Sequence, residues 1–235
     1  MLNMKIAVIG ANGFVGKNLV KVLKKKYDLI KITRRTKFSI LKNDFDIIIH
    51  AANSSKKYEA SKNPKKDFNN SVKLTKKIIN LSKNKRIILI SSISARNEKN
   101  IYSKNRKICE DLVLKQNKKN SIFRLSVLLN YKSKRGILYD LIKGNQIYIN
   151  KNTFINPLTI EEVSKYIMLN LKSQKKIHEI GSYNRIKINT IKKIIKSKSK
   201  FGNKKIKLLS KKNNLINFSY SKILNEMLKK SFLKH

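Results

Sequence analysis

Short apolar runs rich in β-branched residues alternate with longer amphipathic stretches through the first half of the chain. Lys5–Ile9 is a run of the first kind and closes on Gly10, which predicts a buried parallel strand. Phe14–Lys26 follows as a helix with Val15, Leu19, Val22 and Leu23 on one face. Leu29–Thr33 and Asp46–His50 read as further strands, the second built on Ile47-Ile48-Ile49. Val72–Ser82 predicts another amphipathic helix through Leu74, Ile78, Ile79 and Leu81. Arg86–Ser91 is a buried strand, Ile101–Lys115 a helix and Ser121–Leu125 a strand. This alternation predicts an α/β fold with a doubly wound parallel sheet.

The rhythm becomes irregular after about residue 130. Ile137–Lys143, Ile160–Leu171 and Ile188–Lys196 read as helices, and Ile147–Ile149 and Lys205–Leu209 as short strands. The expected division is a core over 1–130 and a small lobe within 131–235, with a return to the core near 154–172. No internal repeat is visible. Apolar periodicity persists through the Lys/Asn-rich stretches, and a hydrophobic content of 40% supports a packed core.

Charge changes this picture little. The formal net charge is +43 over 235 residues. The lysines are spread along the chain with no acidic region to balance them. Lys, Asn and Ile share A/T-rich codons, so background composition accounts for the excess, and no specific nucleic-acid partner is expected. The field should still favour the approach of an anionic substrate. Cys109 stands alone, so neither a disulfide framework nor a thiolate metal site is expected. His50, His178 and His235 show no ligand spacing. The first residues run straight into a strand without a leader pattern, and no apolar run approaches membrane-spanning length. A cytoplasmic protein without a membrane partner is expected.

Gly10-Ala-Asn-Gly13-Phe-Val-Gly16 lies between the first strand and the first helix. Glycines so placed allow a tight turn, a close approach of backbone to a pyrophosphate, and close helix–strand packing. The helix amides then face the anion. The bland alternative is an ordinary strand-to-helix turn. Context favours a Rossmann-type dinucleotide site made by Gly10, Asn12, Gly13, Phe14, Val15 and Gly16.

The three-and-three spacing, with Asn12 inside it, resembles the extended short-chain dehydrogenase/reductase family, also called the NAD-dependent epimerase/dehydratase family. Further segments resemble it in order: His50-Ala51-Ala52, Ile90-Ser91-Ser92-Ile93, Tyr102 with Glu110, Phe123-Arg124-Leu125, Phe154–Val163 and His178–Ser182. The resemblance implies that His50, Ala51 and Ala52 line the cofactor. It implies that Ser92 positions a substrate oxygen and that Tyr102 is the acid/base. It also implies that the C-terminal region is a substrate lobe and that a homodimer is one available assembly.

Two departures stand out. In the family a lysine follows the tyrosine by four residues, but here that position holds Arg106. Position i+4 lies about 40° round the helix from i, whereas i+5 lies about 140° away, so Lys107 and Lys104 point elsewhere. Free tyrosine titrates near ~10, and a neighbouring cation favours its phenolate. Arg106 supplies that charge but cannot give up a proton. The second departure is length. The segments from Ser92 to Tyr102 and from Arg35 to Asp46 are short, and the latter is expected to lack a strand or its connecting helix. Tyr102 as a surface tyrosine and Ser92 as a strand-end cap remain alternatives.

At the end of the second strand, where a carboxylate would bind the ribose of NAD, the chain has Arg34-Arg35. Arginine is rare in this lysine-rich chain, so NADP is expected over NAD. The reading is an NAD(P)-dependent reductase or epimerase of a nucleotide-activated sugar. The rival is a non-catalytic NAD(P)-binding structural or sensor protein.

Overall fold

A computed structural model describes residues 4–54, 57–97, 99–129, 136–210 and 215–216. The chain divides into two compact units, Met1–Arg124 with Val163–His178, and Leu125–Glu162 with Glu179–His235.

The first unit is wound as its apolar runs predict. Strand β1 (Lys5–Ile9) leads into α1 (Phe14–Leu23), then β2 (Asp28–Ile32). A single 3-10 turn, Phe38–Lys42, carries the chain to β3 (Ile47–His50). Helices α2 (Lys57–Lys62) and α3 (Pro64–Phe68), a π turn at Asn69–Lys73 and α4 (Leu74–Leu81) precede β4 (Arg86–Ser92). A short α5 (Ser94–Asn97) and the long α6 (Ile101–Gln116) lead to β5 (Ser121–Leu125). The described helix α1 ends at Leu23, three residues short of the expected Lys26. The helix expected from Val72 to Ser82 is α helical only from Leu74, because the π turn takes the residues before it.

The second unit begins with β6 (Leu128–Leu129), α7 (Ile137–Lys143), β7 (Ile147–Ile149), β8 (Phe154–Ile155) and β9 (Leu158–Thr159). Helix α8 (Ile160–Leu169) and strand β10 (Ile177–Ser182) run across the division. Then come β11 (Ile186–Lys187), α9 (Ile188–Ile194), β12 (Phe201–Lys204) and β13 (Leu215–Ile216). The strand expected at Lys205–Leu209 is instead β12, paired in parallel with β7, while Leu208 makes one isolated bridge to Ile155. Gly202 decides this: a Cβ there would lie 2.6 Å from the Tyr148 carbonyl oxygen, so only glycine lets the two backbones meet.

The central sheet has the order β13-β10-β5-β4-β3-β1-β2. The β1–β2, β1–β3, β3–β4 and β10–β13 pairs are parallel. The usual doubly wound order is 3-2-1-4-5-6. Here β2 is the described edge, and the chain returns from it directly to the far side of β1. The strand that usually lies outside β2 is absent among the described residues. The short stretch from Arg35 to Asp46 has room only for the 3-10 turn, whose Leu41 plugs the core. Ala7, Ile9, Ile48, Ile87, Leu89 and Ile122 of the strands pack with Ile78, Cys109 and Val113 of the helices. Burying a side chain of this size contributes about 1.5–3 kcal/mol. Among the described residues, no helix is long and apolar enough to cross a membrane.

Candidate functional site

The turn after β1 is built by its neighbours. Gly10 has φ +83, and both its amide and that of Ala11 donate to the Ile32 carbonyl, at 2.9 and 3.3 Å. A Cβ on Gly10 would lie 2.8 Å from Ala52 backbone atoms, so the turn nests against the Ala51-Ala52 segment after β3. A Cβ on Gly16 would lie 2.1 Å from the Gly10 carbonyl oxygen. The first turn of α1 therefore packs on the end of β1. Gly13 differs: it starts α1 in ordinary extended geometry, and a Cβ there would meet only that same oxygen, at 3.2 Å. Asn12, Gly13 and Phe14 are exposed, and Val15 is half-buried. No side chain caps α1, and its first turn has no acidic residue. Its amide end thus keeps its partial positive charge for an anion.

Arg34 and Arg35 are exposed on a turn directly after β2. Thr33 and Thr36 shape it: the Thr33 amide donates to Thr36 Oγ1 at 3.0 Å, and the Arg35 amide to Thr33 Oγ1 at 3.3 Å. Since Ile32 accepts from the glycine turn, the two arginines follow closely on the strand end that this turn touches.

His50 is fully buried at the end of β3. Thr75 donates to the Ser71 carbonyl at 2.8 Å, so His50 Nε2–H donates to Thr75 Oγ1 across 3.1 Å. The other ring nitrogen then accepts from the Ala52 amide at 3.4 Å. Burial, reinforced by the Arg106 charge, holds the imidazole near pKa 3. The ring is thus a neutral brace beneath Ala51 and Ala52, which are half-buried where His50 is buried. Cys109 is also fully buried, and burial pushes its thiol up, which removes it as a nucleophile.

Helix α6 carries the acid/base candidate. Its start is capped by Asn100, which accepts from the Ser103 amide at 2.9 Å. Tyr102 and Arg106 lie one turn apart on the inner face, with the guanidinium carbon 4.9 Å from the ring centroid. Arg106 is 2% exposed. Its Nη2 donates to the Ser54 carbonyl, while Nη1 is buried without a protein partner. Lys107 faces outward and pairs with Asp111, as the helical geometry requires. Ser92, half-buried at the end of β4, accepts from the Ser94 amide at 3.3 Å and the Ser94 hydroxyl at 3.1 Å. It is a strand-end cap, and because both bonds use its oxygen, its own proton is left to donate.

Three features were not legible at these positions in the sequence. The Glu110 carboxylate, fully buried, accepts from Ser91 Oγ at 2.6 Å and from Arg124 Nε and Nη2 at 3.0 and 2.6 Å, fastening α6 to β4 and β5. Asn105 donates to Asp67 in α3 at 2.8 Å. Lys57 brings its ammonium to 5.9 Å from the Tyr102 ring. The Glu110 position did match a family motif, but its partners could not be read. Asn63-Pro64 was a helix-start signature that would have revealed α3, where Asn63 accepts from the Lys66 amide at 2.9 Å.

Compared with known families, residues 6–118 match the one described as NAD dependent epimerase/dehydratase. The matched span contains the glycine turn, Arg34, Arg35, His50, Ser92, Tyr102 and Arg106, while Arg124 of the Glu110 network lies beyond it. No curated protein matches the chain in sequence. Solved structures share the fold over most of the chain. Pal from Bacillus thuringiensis is 16% identical, with a TM-score of 0.80, covering 98% of this chain and 100% of its own. UDP-N-acetylglucosamine 4-epimerase from Methanobrevibacter ruminantium M1, in complex with UDP-N-acetylmuramic acid, is 14% identical, with a TM-score of 0.77 and 99% of both chains covered. dTDP-4-dehydrorhamnose reductase from Bacillus anthracis str. Ames, in complex with NADP, is 15% identical, with a TM-score of 0.70, covering 100% of this chain and 99% of its own.

Proposed function

We propose that this protein is an NAD(P)-dependent enzyme that reduces or epimerises a nucleotide-activated sugar in the cytoplasm. The observation that carries the reading is the Tyr102 phenol held beneath a buried guanidinium on one face of α6. A tyrosine so placed is equipped to exchange a proton with a sugar oxygen, and the fixed cation stabilises negative charge beside it.

The residues present fit a dinucleotide. The uncapped start of α1 and the open face of Gly13 would hold the pyrophosphate. Ala51 and Ala52 would line its adenosine side, and Arg34 and Arg35 would take the 2′-phosphate of NADP. Bound nicotinamide supplies or accepts the hydride. Ser92 donates its hydroxyl proton to the sugar oxygen, and Arg106 Nη1 offers one further buried donor. The uridine and thymidine diphosphate sugars named with the neighbouring structures support the substrate class.

One observation favours a non-catalytic NAD(P)-binding role. Arg106 stands where the family has lysine, and half of its fork is spent on Ser54. Assaying the purified protein with NADP(H) and NAD(H) against UDP- and dTDP-linked sugars decides between the two. The expected result is turnover that Tyr102→Phe reduces by about 10²–10⁴-fold while cofactor affinity is spared. Cofactor binding with no turnover on any sugar would support the second reading, and an active Tyr102→Phe protein would remove the catalytic assignment.

A further inference from the structure

Tyr102 meets two cations, and they come from different elements. The guanidinium of Arg106 lies on α6 itself, 4.9 Å from the ring centroid, and is buried. The ammonium of Lys57 lies at the start of α2, 5.9 Å from the same centroid, on an exposed residue. Two ties from α6 bracket this segment of chain. Arg106 grips the Ser54 carbonyl before Lys57, and Asn105 grips the Asp67 carboxylate after it. Lys57 lies between these two tied residues in the sequence, at the first position of α2.

We infer that Lys57 returns the proton to Tyr102 between turnovers, so that the two cations divide one task. This rests on the reductase form of the function proposed above. In the reduction, a bound reduced nicotinamide would supply the hydride to the sugar's carbonyl carbon and be oxidised in turn. The carbonyl oxygen gains the phenol proton of Tyr102, and the C=O double bond becomes an alcohol. Tyr102 is left as phenolate and needs one proton from water before the next cycle. Arg106 cannot provide it, because a guanidinium stays protonated at any working pH. The Lys57 ammonium gives its proton to the phenolate through water, and the resulting amine takes another from bulk solvent. Exposure makes Lys57 a weak fixed charge, since solvent screens it. The same exposure is what exchange with bulk water needs. Lys57 acts through Tyr102 and is a positioning and proton-return residue, not the group at the reacting carbon.

The test uses the full chain, NADPH and a dTDP-linked 4-keto sugar, comparing the parent with Lys57→Ala and Lys57→Arg. The first turnover needs only the proton already on Tyr102. Lys57→Ala should keep the first-turnover rate and its NADPH affinity, measured by fluorescence titration. Its steady-state rate should fall by roughly 10²-fold, acquire a larger solvent deuterium effect, and recover with added methylamine. Lys57→Arg keeps the charge without a releasable proton and should stay slow. A structural or purely electrostatic role predicts the reverse: a slowed first turnover in Lys57→Ala, or rescue by arginine. Either result overturns the inference, as does a parental steady-state rate in Lys57→Ala. A parent with no first turnover removes the reductase reading itself, and this inference with it.

Discussion

The glycine turn after β1 and the inner face of α6 carry the two halves of the proposed chemistry, and they are made of different material. The turn works with backbone. Its amides must stand clear, and its chain must fold within 2.8 Å of Ala52 at the place where Gly10 would carry a Cβ. Only glycine satisfies that, so the site is written in local spacing. The α6 face works with side chains. A charge beside Tyr102 is equally effective from any element that can reach it, here Arg106 from the same helix and Lys57 from α2. A site made of backbone is bound to its motif, whereas a site made of side chains can shift its parts among neighbours in space.

If α6 depends on neighbours, cutting its tie to the sheet should do the most damage. Glu110→Ala leaves the Arg124 guanidinium, 8% exposed, without its bidentate partner, and frees Ser91 as well. Breaking a buried pair from one side typically costs about 3–5 kcal/mol. The denaturant midpoint should drop accordingly with an unchanged m value. A loss under about 1 kcal/mol would mean the pair behaves like a surface ion pair and that α6 is held by packing alone.

Within the turn, two glycines should fail differently. Gly13→Asp puts a carboxylate where the pyrophosphate would lie but meets only the Gly10 oxygen, at 3.2 Å. Dinucleotide affinity should fall by roughly 100-fold or more with little change in melting temperature. Gly16→Ala forces a Cβ to within 2.1 Å of that oxygen, so backbone must move. It should lower stability by about 1–3 kcal/mol. Calorimetric binding and thermal melts of the pair separate the effects; unchanged affinity in Gly13→Asp would remove the dinucleotide assignment.

What the sequence shows follows the same contrast. The strands from Lys5 to Leu125 are visible because each is a short, largely apolar run bounded by polar or glycine residues, and the glycine triplet is visible because its spacing is the mechanism. The i+4 argument places Arg106 over Tyr102 because both lie on one regular helix. Lys57 carries no signal, being one lysine in a lysine-rich chain whose partner lies on another element. The Glu110–Ser91–Arg124 network spans three elements and needs the sheet order before it can be seen. Beyond Leu125 the strands are two to four residues long, apart from β10, and of these short ones only Ile147–Ile149 registers in the apolar pattern. There Gly202, rather than the apolar pattern at Lys205–Leu209, sets which residues pair.

His50 links the two regions, bracing Ala52 under the turn while feeling the charge of Arg106. It is held near pKa 3, and His178, stacked on Phe123 at 4.4 Å, is held near 4, against an ordinary 6.5. Both shifts come first from burial. Both groups are neutral when folded, so between pH 6.5 and 4 the unfolded chain binds more protons than the folded one. Stability is therefore full above about pH 6.5 and is lost as pH falls. Each histidine contributes a slope of up to about 1.4 kcal/mol per pH unit. His50→Asn and His178→Phe should each flatten the dependence of the urea midpoint on pH by that amount. A profile unchanged by either variant would show that the folded protein protonates these rings freely.

The smallest expected effect lies at Arg34 and Arg35, and it tests whether side chains beside the turn obey the rule proposed for α6. Both are exposed, on a loop shaped by Thr33 and Thr36 rather than by the arginines themselves. Replacing both with serine should leave the fold and the pyrophosphate site intact. What is lost is the charge-assisted contact with the 2′-phosphate of NADP, worth about 1.5–3 kcal/mol for a charged hydrogen bond, and less at an exposed site where water competes. NADP affinity should fall roughly tenfold while NAD affinity changes little. The surrounding positive charge of the chain complicates the reading, since any anion is weakly attracted. Titrating both cofactors at low and high salt isolates the local contact, because general attraction fades with ionic strength while a directed bond largely survives. Equal weakening of the two cofactors would show that these arginines do not read the phosphate, and that the sequence signal there was charge without a site.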